Sequence, residues 1–183
     1  GHTAALAMIN TQIATAAAVL SWVAYEKLRE GKATTLGAAS GAIAGAVGIT
    51  PACGYVTPLG ALIIGLLAGA VSAYGVSLKY KFNYDDSLDV VGVHGLSGIV
   101  GMISIGLIAT LHANSNGANG LFYSGSTSLL EKQAIASIAV IAFSFTATYI
   151  IATIIQRTIG FRVHRDVEIE GVDTAIHAES AYE

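Results

Sequence analysis

The chain has 183 residues, 54% of them hydrophobic and only 11% charged, with a mean hydropathy of +0.65; an ordinary water-soluble domain is excluded and an integral membrane protein is expected. The net charge of -3 carries no basic excess, so nucleic acid is not an expected partner. A single cysteine, Cys53, leaves no internal disulfide, and no Cys/His cluster has structural-zinc spacing, so neither a metal nor another cofactor is expected.

The first residues, GHTAALAMINTQIATAAAVL, have no basic n-region and run directly into an apolar stretch, which does not resemble a cleavable signal peptide. Residues 3–25 contain no formal charge and are long enough to cross a bilayer core, which takes about 20 helical residues. The polar Asn10, Thr11, Gln12 and Thr15 predict a face turned towards protein. Residues 33–78 are also uncharged, but TPACGYVTP, with Pro51 and Pro58, interrupts them. A helical hairpin is expected, with arms at 36–49 and 59–78. Its first arm would be roughly 21 Å long at 1.5 Å per residue, short of a ~30 Å hydrocarbon core. It is expected to line a vestibule or lie beside an irregular segment buried in protein.

A fourth span is expected at 90–111 and a fifth at 133–156, separated by the polar loop HANSNGANGLFYSGSTS. Residues 1–156 thus form a five-helix membrane domain and 157–183 a charged tail. Of nine basic residues, Lys27, Arg29 and Lys32 follow the first span, Lys79 and Lys81 the third, and Arg157, Arg162 and Arg165 the fifth; only Lys132 lies on the other side. The positive-inside rule then puts the tail in the cytoplasm and the N-terminus outside. An external start without a signal peptide is natural for the second half of a longer protein.

Within the fourth span, DVVGVHGLSGIVG places His94 among small and apolar residues. At 100° per residue Val90, Ser97, Gly98 and Gly101 fall within about 60° of His94, while Val93, Leu96, Ile99 and Ile103 lie opposite. The ring is expected to face small residues. Gly92, Gly95, Gly98 and Gly101 recur every three positions, and Gly37, Gly41, Gly45 and Gly65, Gly69 every four, spacings that let transmembrane helices approach closely. An ionisable group inside a membrane usually belongs to a substrate or proton path, and an imidazole can donate or accept one proton. Two other readings stand beside it: a histidine hydrogen-bonded for packing alone, and a haem or metal ligand, for which the spans offer no second ligand. Asp85, Asp86 and Asp89 precede this helix and are expected to cap its N-terminus, with attraction of a cation as the second reading.

With these residues placed, the chain resembles the C-terminal half of ammonium transporters of the Amt/Mep/Rh family. The resemblance is carried by NTQIATAAAVLSW (10–22), LGAASGAIAGAVGITPACGYV (36–56), GALIIGLLAG (60–69), YDDSLDVVGVHG (84–95) and GVDTAIHAESAY (171–182). ITPACGYV and DVVGVHG together are highly specific.

The resemblance implies a homotrimer of eleven-helix subunits, each with a pore between inverted five-helix halves, of which this chain would supply the last five helices. It implies that His94 is the second of two pore histidines, with Val90 one turn earlier and Thr50 near the central pore. Ammonium would lose its proton and cross an apolar constriction as ammonia, the imidazoles relaying the proton. The first histidine, the outer recruitment site and the phenylalanine gate would belong to an N-terminal half absent from this chain. The tail pattern implies a regulatory segment carrying Gly171, Asp173, His177 and Tyr182 beside a docking surface for the PII signal protein. Ala175 stands where a Ser or Thr is common, which counts against the phosphorylation switch of some plant members. The tail is expected to touch a neighbouring subunit; a solvated end is the alternative.

Two other functions compete with transport in a cell membrane: an ammonium-sensing or partner-binding module without useful flux, and an incomplete product with no function of its own. Enzymatic catalysis is not expected, because the spans hold no nucleophile and base at suitable spacing, no P-loop and no dinucleotide fingerprint.

Overall fold

The computed structural model describes residues 1–179, and every regular element among them is helical. They fall into two compact units, Gly1–Ser137 and a second beginning at Ile138.

The first unit is built around α1, His2–Glu30, which ends at Gly31 in a left-handed conformation (φ 78°) that glycine adopts without cost. Glu26, near its end, accepts hydrogen bonds from Trp22 Nε1 at 3.2 Å and from the Thr34 amide at 2.8 Å. The Thr34 hydroxyl in turn accepts from Gly37 N and caps α2, Thr35–Ile49. One carboxylate thus ties the end of α1 to the start of α2. At 15 residues α2 is about 22 Å long, well below the span of its neighbours. The chain then unwinds through 50–57 and enters α3, Pro58–Phe82, with Thr57 as N-cap and Pro58 in the first turn, where its missing N–H costs nothing.

Small residues let α1 lie against α2 and α3 together. A Cβ at Gly45 or Gly65 would overlap the Ala14 carbonyl, one at Gly69 the Ala18 carbonyl, and one at Gly41 Cβ of Trp22. The core between these helices is made of Ala14, Ala18, Ala44 and Ala61 with the larger Ile49, Val56 and Ile64, all inaccessible. Such contact draws its energy from close backbone approach rather than bulky side chains.

The fourth helical segment begins as a π-helical turn, Val91–Leu96, and continues as α4, Ser97–Ile108. It stops earlier than the hydropathy pattern suggests. Ala109 is extended, Thr110 N donates to Tyr55 O at 2.9 Å, Gly120 N to Ala109 O at 2.8 Å, and Leu111 N to Asn119 Oδ1 at 2.9 Å. Backbone pairing with the 50–57 loop and the 114–120 loop wins over another helical turn. A short α5, Leu121–Ser124, leads to α6, Ser128–Thr158, whose Leu130 fits over Gly106 of α4.

From Ile138 onward α6 exposes its apolar side chains, Phe143 at 75% and Phe145 at 73%, and Phe145 stacks on Tyr149. The second unit then carries α7, Arg165–Glu170, a bend at Gly171 (φ 107°) and a π-helical turn, Asp173–His177.

Among the described residues four helical stretches are long and apolar enough to cross a membrane, His2–Glu30, Pro58–Phe82, Val91–Ile108 and Ser128–Thr158; Thr35–Ile49 is apolar but shorter.

Candidate functional site

The break between α2 and α3 is held by a side chain that hydropathy reading placed only on a protein-facing side. Asn10 of α1 is fully buried, and its Nδ2 donates to both Cys53 O and Val56 O at 2.8 Å. An unwound segment inside an apolar bundle exposes carbonyls that helix geometry no longer satisfies, and each left bare would be costly. One amide group answers two of them. Of its companions, Thr11 and Thr15 are half-buried, and Gln12 is exposed rather than turned into the bundle. The polar run NTQ adjoining a small-residue helix was the signal; its spacing alone did not reveal the target.

Thr50 sits at the end of α2 with its hydroxyl turned back onto Ala46 O at 2.6 Å, and it is exposed on this chain. The same end of α2 meets α4 directly, since a Cβ at Gly101 would overlap the Gly48 carbonyl and crowd Pro51. Gly101 is seven residues beyond His94, roughly 10 Å along a helix. Thr50 and His94 are thus attached to two elements in contact, about two turns apart.

His94 lies within the π-helical turn and is exposed, as is Val90. Beside them the backbone is uncovered: Gly98 has nothing within 4 Å of a would-be Cβ, and Gly95 only the Val90 carbonyl at 4.0 Å. Ser97 and Gly101, which uniform 100° steps put on the face of His94, are instead buried. Ser97 Oγ bonds Ser72 Oγ of α3 at 2.6 Å, and Gly101 meets α2. The reason is the π-turn, whose i→i+5 bonding adds a residue to one turn and so offsets the faces before and after it. Val93, opposite His94, is buried with Trp22, Ala44 and Ala73.

The three acidic residues before this helix separate into different roles. Asp86 caps: its two carboxylate oxygens accept from Val90 N at 2.8 Å and Val91 N at 2.9 Å. Asp89 does not cap; it adopts a left-handed conformation (φ 56°) and pairs with Lys79 of α3. Lys79 Nζ also donates to the Asp86 carbonyl at 3.2 Å. Asp85 lies beside them with Lys79 and Tyr84 around a shallow polar pocket. Among the described residues no group of three or more His, Cys, Asp or Glu could hold a metal ion.

In the tail, Gly171 supplies the bend before Asp173 and His177, both exposed. Tyr182 lies outside the described residues.

Apolar helices of spanning length, a short helix broken inside the bundle and a histidine on an uncovered, glycine-flanked face define a multi-pass helical membrane protein. Residues 1–182 match the model of the Ammonium Transporter Family, and the chain belongs to that family. It is 49% identical over 180 residues to an ammonium transporter of Mycobacterium bovis, covering 96% of this chain and 38% of that protein. It is 48% identical over 178 residues to an ammonium transporter of Bacillus subtilis, covering 97% and 44%. Among solved structures, Candida albicans Mep2 superposes with a TM-score of 0.83 at 34% identity, over 91% of this chain and 38% of that one. A structure described as a sensor Amt protein reaches 0.80 at 24% identity, a likeness of fold alone. The chain therefore spans about two fifths of the relatives it matches.

Proposed function

We propose that this chain supplies the C-terminal half of an ammonium-conducting pore, with His94, Val90 and Thr50 on its pathway face. The observation that supports this most is the uncovered surface around His94: a titratable ring on an apolar helix, beside glycines whose Cβ positions meet almost nothing. A surface of this kind would be completed by the N-terminal half of the same subunit.

The chemistry favours separating proton from ammonia. Ammonium is a cation that is expensive to strip of water, whereas neutral ammonia passes apolar surroundings at far lower cost. An imidazole that gives or takes one proton can accept the charge at such a point. Thr50, with its hydroxyl proton committed to Ala46 O, retains oxygen lone pairs towards the pathway.

In the intact protein the subunits would form a homotrimer in the cell membrane, the tail on the cytoplasmic side and the start of this chain outside, in keeping with the eight basic residues on one side. Asp173, His177 and Tyr182 would lie in a tail segment near a docking surface for a PII-type signal protein.

The test is ammonium uptake by cells lacking their own transporters, given the full-length protein or its His94→Ala variant at equal membrane abundance. A fall in uptake or a change in ion selectivity is expected. Unchanged flux and selectivity would remove His94 from the pathway.

A further inference from the structure

The π-helical turn lies between two attachments to α3. On one side Lys79 donates to the Asp86 carbonyl and pairs with the Asp89 carboxylate; on the other Ser72 and Ser97 share a buried hydrogen bond. Along α3 the anchors Ser72 and Lys79 are seven residues apart, while their partners Ser97 and Asp89 are eight apart. The two segments run antiparallel in close contact, Gly92 against Val76 and Leu96 against Gly75. Between these two attachments the helix bonding changes to i→i+5, at 91–96.

We propose that Lys79 and Asp89 are positioning residues: their ion pair holds the π-turn and thereby sets the direction in which His94 points. The inference rests on the reading of His94 as a pathway residue. An i→i+5 turn winds differently from the α-helix that follows it, so its presence sets the angle at which the His94 side chain leaves the helix. The pair is well placed for this. The Lys79 and Asp89 side chains are 14% and 28% exposed, and the Asp89 carbonyl accepts from Val93 N at 2.7 Å, the first bond leading into the turn. Asp86 completes the device by fixing the amides of Val90 and Val91.

The informative substitution is Asp89→Asn, because asparagine accepts the left-handed backbone of position 89 and only the charge is lost. In the full-length protein, the maximal rate and KM for ammonium are measured for the unaltered protein, Asp89→Asn, His94→Ala and the double variant. The expected outcome is a fall of about tenfold in maximal rate for Asp89→Asn, within the range for residues sharing one network, with no further fall when it is added to His94→Ala. Lys79→Arg, which keeps the pair, should retain the rate. An equal fall with and without His94, or no fall at all, would overturn the proposal.

A crystal structure of the Asp89→Asn protein provides a readout independent of transport. Reversion of 91–96 to α-helix with a displaced His94 supports the latch even if His94→Ala transports normally, in which case only the pathway reading fails. A π-turn and ring left in place would sink the latch. Should Asp89→Asn not accumulate in the membrane, Lys79→Gln removes the same pair without touching position 89 and is judged by the same outcomes.

Discussion

α3 and α6 are both long and apolar, yet about half of the most apolar stretch of α3 is buried within the chain and none of that of α6 is. The difference lies in side-chain size. α3 presents Gly60, Gly65, Gly69 and Gly75, and at the last three a Cβ would run into a neighbouring helix, whereas α6 presents Phe143, Phe145 and a series of exposed isoleucines. Hydropathy marks a helix for the bilayer; the small-residue stripe marks which helices bind each other there.

The sharpest way to break this contrast is Gly65→Leu. A side chain there would strike the Ala14 backbone, which has no rotamer with which to yield, so loss of more than about 3 kcal/mol and failure to accumulate as folded protein are expected. Yield of monodisperse protein in detergent measures it; normal yield would mean that α1 and α3 can separate at no great cost.

A second change tests the buried break. Asn10→Leu keeps the volume but leaves the Cys53 and Val56 carbonyls bare, at roughly 1–3 kcal/mol each. A clearly lowered thermal unfolding temperature in detergent is expected, and an unchanged one would show that the loop holds without the clamp.

Asp86→Ala should cost less, about 1 kcal/mol, the ordinary worth of a helix cap, read from the same unfolding curves. The smallest effect belongs to the other side of the comparison. Phe143→Ala on α6 should change unfolding by no more than about 0.5 kcal/mol, as expected for a side chain outside the packed core of its own chain. A larger loss would reveal a partner packed on that surface.

Much of the fold was legible because lipid imposes simple rules. The apolar stretches read as helices, Pro51 and Pro58 announced the break, and the four-residue glycine spacing announced close helix contacts, though not that α1 is the partner. What stayed hidden depended on facing elements. Nothing in DVVGVHGLSG signals an i→i+5 turn, whose two flanking attachments, at Ser72 and Lys79, belong to α3. For the same reason a uniform helical wheel put Ser97 and Gly101 beside His94, and three adjacent aspartates could not be told apart. Asn10 was recognisable as protein-facing, but its partners lie 43 and 46 residues away.

That clamp also bears on how this sequence can drift over generations. Position 10 must donate two hydrogen bonds from one compact, uncharged group in a closed space. Serine and threonine offer one proton, aspartate none, and glutamine is a methylene too long. Among the described residues the Asn10 Oδ1 oxygen has no partner, so within this chain it is the NH2 side of the amide that makes the clamp. A saturation library at this site should therefore return a single letter.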